Sequence, residues 1–380
     1  MKTHVPFAGD LELIANDIKR QSSLLREALP SFGESSRGVA AKTPLANRVY
    51  LVGCGDSYDA AGAAQFVWER LLGSTTQAMT ALAFSRYAVD IAPSDSLVIA
   101  LSQSGKVSRV IEAVRLARHR GIHTIALTGS RDSPLADEGG WQIVSSFPKL
   151  GSIPGTSSYV LNLALLVELA VGLADAWRLP ADTDRVRTQL AQLPDLIDRS
   201  VAEVWSTAKV HALATAHRGV VQFAVGSGPN LATARFFARK ASEIPQVAVL
   251  AQESEEFAHD QYSIVQAGSP VLMCSPPGAS SGRDDELLTS LANLSAVTAV
   301  VTDETRTLPV AARPSWRYNV ASGLEESLTP LLYSLPAQIY SYELANLIGG
   351  SFYAFANQVH RSDGDRLIYQ SAMVDSVQFR

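Results

Sequence analysis

A repeat with a spacing of 173 residues limits this chain to two copies of one fold. Val52-Gly53-Cys54-Gly55 returns as Val225-Gly226-Ser227-Gly228, 52 to 225, and Ser102 falls on Ser275 at the same spacing, 102 to 275. Two separate landmarks sharing one spacing mark a duplicated domain, because the period is far too long for a solenoid repeat. In the first copy, apolar runs of strand length end in Gly- or Ser-rich turns and give way to helical patterns. Residues 49–53 read as a strand and 57–72 as an Ala-rich helix. Strand 96–101 precedes helix 107–119, and strand 123–128 follows. After Gly155-Thr156-Ser157, a long apolar helix runs to about residue 178. Strands alternating with helices imply α/β domains with mostly parallel sheets, covered on both faces.

Ahead of the first copy, Leu11, Leu13, Ile14, Ile18, Leu24, Leu25, Ala28 and Leu29 stand at helical spacing. They predict an amphipathic helix over 10–29 stopped by Pro30, then a Gly/Ser-rich loop over 32–46. The resulting division is 1–45 for the N-terminal helix and loop, 46–190 and 191–348 for the two domains, and 349–380 for a tail. The internal boundary is set near 180–193, where Pro, Asp and Thr gather, and a final helix is expected over 336–348.

With 380 residues, 47 % hydrophobic and 18 % charged, both copies can bury a core. The net charge of −5 argues against a nucleic-acid partner, which calls for a basic face, but leaves room for a small anion. Cys54 and Cys274 each end a strand-like run outside any CxxC or Cys/His spacing, which disfavours a disulfide or a metal site. The opening Met-Lys-Thr-His-Val-Pro-Phe lacks the apolar stretch of a leader. The apolar runs break off before the ~20 residues a bilayer requires. The expectation is a soluble, cytoplasmic protein with no membrane partner.

The richest chemistry lies at Ser102-Gln103-Ser104-Gly105. There a buried strand runs into hydroxyls, backbone N–H groups and a helix N-terminus, the set an anion such as phosphate needs. In the second copy Pro276 and Pro277 remove those donors. At Gly53-Cys54-Gly55-Asp56-Ser57 the glycines permit a sharp turn, and Asp56 or Ser57 can cap the next helix. Taken alone, that segment reads equally as a capped βα turn. A dinucleotide fingerprint is ruled out, since Tyr58 stands where the third glycine belongs. Together the two turns favour a small polar ligand. In the second copy Lys240 and Glu243 share the helix after Gly228, and His259 comes sixteen residues after Glu243, behind Glu255 and Glu256. Ionisable groups in such places are most often surface charges.

These residues in combination resemble the sugar isomerase (SIS) domain family in its tandem form, over about residues 10–350. Leu101-Ser102-Gln103-Ser104-Gly105 is similar to its phosphosugar-binding turn. Ser133-Pro134-Leu135-Ala136 resembles one of its loops, Ile18-Lys19-Arg20-Gln21 its opening helix, and Leu335-Pro336-Ala337-Gln338 the start of its last helix. The resemblance implies two three-layer α/β/α domains packed as a pseudo-dimer, with the active site between them. It implies that Ser102, Gln103 and Ser104 hold the phosphate of an open-chain sugar or aminosugar, with Gly55, Ser57, Ser108 and Thr156 as further sugar- or phosphate-binding positions. Glu243 takes the place of the carboxylate that moves a proton between C1 and C2, and Lys240 on the same helix is counted with it as a catalytic residue. His259 fits the histidine that assists ring opening from the neighbouring subunit of a homodimer. No metal or organic cofactor is implied, because the carbonyl itself acidifies the proton.

The sequence also departs from the family pattern. Val107 stands where a phosphate-binding threonine is usual, Phe236 replaces a glutamate, Ser157 replaces a lysine, and Asp260-Gln261 follows the histidine. No lysine occurs after Lys240, and neither a glutaminase domain nor an N-terminal cysteine nucleophile is found. Glutamine-dependent synthesis is therefore not expected. Isomerisation, deamination and deglycation stay open, with Asp365-Arg366-Leu367-Ile368-Tyr369 closer to the deglycase type. The rival class is a phosphosugar-binding protein without catalysis.

Overall fold

The computed structural model describes residues 9–216, 220–353 and 358–375. Residues 1–8, including the opening segment read for a leader, and 354–357 and 376–380 of the tail lie outside them. Two helices come first, α1 (Leu11–Lys19) and α2 (Gln21–Ala40). The first sheet is built from β1 (Arg48–Gly53), α3 (Asp56–Leu72), β2 (Thr75–Thr80), α4 (Ala81–Ala83, continued by a π-helical turn over Phe84–Ala88), β3 (Ser96–Ser102), α5 (Ser108–His119), β4 (His123–Thr128), α6 (Pro134–Asp137) and β5 (Trp141–Val144). Then α7 (Ser157–Ala176) and α8 (Thr183–Thr215) lead on. The second sheet uses β6 (Gln222–Gly226), α9 (Asn230–Glu243), β7 (Val249–Gln252), α10 (Ser254–His259), β8 (Pro270–Cys274), α11 (Ser281–Asn293), β9 (Val297–Asp303) and β10 (Trp316–Val320). The chain closes with α12 (Pro330–Ile348) and α13 (Gln358–Tyr369).

Contacts divide the chain into two compact units. One holds the first sheet, made by residues 24–149 and 158–191 and by the described part of the tail. The other holds the second sheet, with residues 9–23, 150–157 and 192–353 as described. The first sheet has the order β2-β1-β3-β4-β5 and the second β7-β6-β8-β9-β10, so the order is the same, and every pairing is parallel. In the first unit β1 and β4 are buried from their second residue onward and β3 throughout, which requires cover on both faces. Val52, Val98, Ala100, Val114 and Ala126 form the core there; Phe223, Val225, Val271, Met273 and Val300 do so in the second. The duplication extends to atomic crowding. A Cβ on Gly53 would lie 2.7 Å from the Ser57 carbonyl carbon, and one on Gly226 2.4 Å from the Asn230 carbonyl oxygen.

Several expected boundaries are corrected. Pro30 does not stop a helix; it lies inside α2, which runs on to Ala40 through most of the expected loop. Both Pro30 and Arg26, whose carbonyl loses its usual donor, are on the exposed side, while Leu24, Leu25, Phe32 and Ser36 keep the other side buried. The missing helical hydrogen bond thus falls on the solvent side of α2, where the proline is tolerated. Helix α12 likewise begins at Pro330 and carries Pro336 within it. Against the expectation that every apolar run breaks off early, the 20 residues of α7 are long and apolar enough to cross a membrane, yet 94 % of the apolar window is buried inside the protein. The internal boundary set at 190/191 falls inside α8, which is continuous over 33 residues, and the two units part there at 191/192.

Candidate functional site

In the first sheet β1 and β3 are neighbours, and the chain builds outward from them in opposite directions. Open α/β sheets bind ligands at such a reversal, beyond the carboxyl ends of the strands. The register pairs Gly53 with Leu101, so the turns that begin at Gly53 and Ser102 leave the sheet side by side.

Ser102 ends β3 with its hydroxyl buried and without a hydrogen-bond partner. Gln103 donates from Nε2 to the Ser145 carbonyl at 3.3 Å, while its Oε1 is buried and unpartnered. Ser104 Oγ accepts from the Lys106 N–H at 3.2 Å, and the Gly105 N–H closes the turn on the Ser102 carbonyl at 2.9 Å. Gly105 has φ +64°, and a Cβ there would fall 2.3 Å from Ser133 Oγ and 2.7 Å from Thr128 Oγ1. Only glycine fits. Helix α5 then starts at Ser108, which is buried, with no side chain capping it at Val107. Its leading N–H groups therefore point toward the turn with the positive end of the helix dipole. Lys106 is exposed and makes no ion pair among the described residues, so its charge adds to that field.

At the neighbouring turn Gly55 precedes α3 with φ +59°, and no side chain caps the helix. The expected cap by Asp56 or Ser57 is absent, because both residues already belong to the first helical turn. Ser57 is half-buried beside the serine turn's strand neighbour. Ser133, from the segment that resembles a family loop, caps α6 and backs the turn: its Oγ lies 3.3 Å from Thr128 Oγ1, and the Leu135 N–H donates to the Gly105 carbonyl at 2.9 Å. Sequence reasoning missed Ser145. Its carbonyl fixes Gln103 and its buried hydroxyl has no partner, but it follows an edge strand of only four residues, too short to stand out as a strand end in the sequence.

Thr156 is placed otherwise than expected. It lies in the other unit, fully buried, and gives its hydroxyl proton to Asp17 Oδ2. The same carboxylate accepts the Ser157 N–H at 2.9 Å, and the Ser157 hydroxyl donates to the Asp17 carbonyl at 2.7 Å. With its hydroxyl proton committed, the Thr156 side chain has no donor left for a phosphate; this cluster fastens α1 to the start of α7. Gln21 and Gln338, from the two segments that resemble the family's first and last helices, also meet, Nε2 donating to Oε1.

In the second unit the crevice at the reversal is filled by the chain's own acids. Ser227 donates to Glu253 Oε1 at 2.8 Å, and Ser254 donates to Asp284 Oδ1 at 3.1 Å. Burial pushes the Asp284 carboxyl up. The Ala279 N–H, just past Pro276 and Pro277, donates to Glu326 Oε2 at 2.9 Å, and the Gly278 N–H to Ser281 Oγ at 2.8 Å.

Glu243 is the last residue of α9, where the helix dipole disfavours a carboxylate. Lys240 offsets this: its ammonium is fully buried, pairs with Glu243 Oε2, and sits 5.1 Å from the Phe236 ring centre. The Glu243 side chain keeps 26 % exposure. His259 ends α10 with 71 % of its side chain exposed and Nε2 3.4 Å from Glu255 Oε1. Glu255 is its polar partner among the described residues, so the chain does not bring His259 onto Glu243. Among the described residues no group of three His, Cys, Asp or Glu side chains could hold a metal.

Residues 45–172 match the family model for the SIS domain. The first sheet belongs to an SIS domain. The second, with the same strand order, is SIS-like. Along 97 % of its length the chain is 25 % identical to a glutamine–fructose-6-phosphate aminotransferase [isomerizing] of Pyrococcus horikoshii, covering 58 % of that protein. It spans about half the length of the curated relatives it matches. Among solved structures, the C-terminal domain of a glucosamine-fructose-6-phosphate aminotransferase from Francisella tularensis superposes with a TM-score of 0.80 at 17 % identity, covering 90 % of this chain and 97 % of that one. A protein of Silicibacter pomeroyi DSS-3, provisionally assigned as a phosphosugar isomerase, gives a TM-score of 0.75 at 25 % identity, covering 89 % and 99 %. The chain thus holds an SIS domain over residues 45–172 and, over nearly its whole length, the two-sheet α/β fold of these structures.

Proposed function

We propose that the chain is an enzyme that binds an open-chain sugar or aminosugar phosphate and moves a proton between C1 and C2. The observation that carries this reading is the serine turn. Within an SIS domain, at a sheet reversal, it presents a buried serine hydroxyl without a partner, a helix N-terminus and an exposed lysine. Ser102, Gln103 and Ser104 hold the phosphate, with Gly55, Ser57 and Ser108 around it. Glu243 is the carboxylate that moves the proton, and Lys240 is a positioning residue that holds it through their ion pair. One carboxylate close to both carbons is what a 1,2-enediol or enolamine route needs. The exposure of His259 suits a residue offered to a second copy of the chain, where it would exchange a proton with the sugar oxygen.

The test incubates the protein with fructose 6-phosphate, glucosamine 6-phosphate, tagatose 6-phosphate, galactosamine 6-phosphate and fructosamine 6-phosphates, following isomer formation and release of ammonia or amine. Ammonia marks a deaminase, amine a deglycase, and an isomer alone a plain isomerase. On the substrate so found, Glu243→Gln lowers turnover at least about 100-fold while sugar-phosphate affinity stays within about threefold. Unchanged turnover in that variant removes Glu243 from the mechanism. Binding without any turnover across the panel favours the non-catalytic alternative. Equal affinity for a sugar and its phosphate defeats the serine-turn assignment.

A further inference from the structure

Along edge strand β10 and past the carboxyl end of β9, in the second unit, lies a polar cleft of about 590 Å³ lined by Arg199, Glu203, Glu304, Arg306, Arg317 and Asn319 among others. That volume is within the range of small-molecule sites. Arg317 is its most informative residue. Its guanidinium is fixed by neutral acceptors alone, Nε on Asn319 Oδ1 at 2.5 Å and Nη2 on the carbonyls of Asp303 at 3.0 Å and Arg306 at 2.5 Å. No carboxylate pairs with it among the described residues. An arginine held rigid by carbonyls keeps its full charge and leaves both Nη1 hydrogens to donate to a phosphate or carboxylate oxygen.

The rest of the lining fits the same ligand. Arg199 is exposed on α8 and donates to the Ser322 carbonyl at 3.4 Å, while its charge also acts on the Glu304 carboxylate. Arg306 is the buried base of the cleft, its side chain 8 % exposed and neutralised by Asp285 at 2.7 Å. It stands 173 residues after Ser133, which backs the serine turn in the first sheet, and it reaches Ser275 Oγ, the counterpart of Ser102, at 3.5 Å. The two acids are already held by neutral donors: Glu304 by the N–H and hydroxyl of Ser322, at 3.3 and 2.9 Å, and Glu203 by Asn319 Nδ2 at 3.1 Å. Carboxylates fixed in this way leave lone pairs for hydroxyl hydrogens. Unpaired guanidinium on one side and acceptor oxygens on the other select a molecule with an anionic end and several hydroxyls.

We infer that this cleft is a second ligand site, separate from the serine turn, which takes a small polyhydroxylated anion, a sugar phosphate or a sugar acid. The second copy of the domain, whose own turn is closed by prolines and acids, has moved its anion chemistry two strands toward the sheet edge and rebuilt it with side-chain guanidiniums.

Hydrogen exchange on the unmodified protein tests this, with glucose 6-phosphate and gluconate as separate probes. The expected result is slower exchange across 304–308 and 316–321 with at least one probe, and the probe that acts identifies the anion as phosphate or carboxylate. Protection confined to the serine turn at 102–108, or none at 304–321 with either probe, overturns the inference. The first of those results leaves the proposed function standing. Calorimetry gives an independent count. The acting probe loses the site, or binds at least tenfold more weakly there, in Arg317→Gln and in Arg199→Gln, the latter an exposed position whose replacement spares the core. Ser102→Ala with Ser104→Ala leaves this site intact. Affinity unchanged in both arginine variants also overturns it.

Discussion

Packing around His211 pushes its imidazole down to about 3, because the ring lies stacked on Trp316 at 4.8 Å and against Tyr340 at 4.4 Å, 2 % exposed, with Nδ1 2.8 Å from the Tyr318 hydroxyl. Desolvation penalises the charged form, so the folded chain keeps this histidine neutral. The unfolded chain protonates it near 6.5. Protons therefore favour the unfolded state as soon as pH drops below about 6.5, and stability present above that pH is lost progressively toward 3. Between pH 7 and pH 5 this one group costs about 2 kcal/mol. Urea titrations at both pH values should show His211→Phe less stable at pH 7 but with a smaller loss on acidification than the parent chain. An equal loss in both would mean that His211 is charged when folded. None of this was readable from the sequence, where His211 is one polar position in a long helical pattern. Nor could spacing show that Thr156 belongs to Asp17, 139 residues earlier. The serine turn was legible for the opposite reason: its strand, turn and helix start are consecutive.

Interior strands announced themselves and edge strands did not. The ends of β1, β3 and β4 were readable to within about a residue, since strands buried on both faces must be continuous apolar runs with polar or Gly stops. Edge strand β2, Thr-Thr-Gln-Ala-Met-Thr, has one ladder partner and only one buried residue, which leaves no such signature. Helix ends misled where prolines sat on wet faces, as at Pro30. The tail shows an element held by distant partners. In the first unit Arg109, in the first turn of α5, donates to the carbonyls of Ser371 and Ala372, and the buried Glu112 accepts the Val374 N–H at 3.1 Å while pairing with Arg86 and Arg109. Arg109→Ala should let the Val374 amide exchange at least tenfold faster, with β1 and β3 unchanged, because Arg86 still pairs with Glu112. Unaltered exchange at Val374 would show that the tail stays in place without the arginine.

At the level of the whole chain, sequence order and structural membership separate. The shared strand order and the 173-residue spacing made the duplication visible, but not the assignment of the N-terminal helix. Residues 9–23 belong to the unit of the second sheet, where Glu12 accepts from the Tyr342 hydroxyl at 3.2 Å, Lys19 lies 5.4 Å from the Trp205 ring centre, and Gln21 meets Gln338. A chain beginning at residue 24 should therefore lose hydrogen-exchange protection in β6, β8 and β9, which lie far away in sequence, and keep it in β1 and β3. Greater loss in the first sheet would contradict this grouping.

Glu326 gives the duplication a direction. Its carboxylate is tied by the backbone to the donor it occupies at Ala279, so it competes there at an effective concentration on the order of millimolar or more, whatever the surroundings supply. An outside anion would have to displace a rival that never diffuses away. Replacing Pro276 and Pro277 would restore N–H groups to the second turn without emptying it. Reopening it takes the loss of Glu326 as well, and a change that needs several coordinated substitutions is far less easily reversed than one.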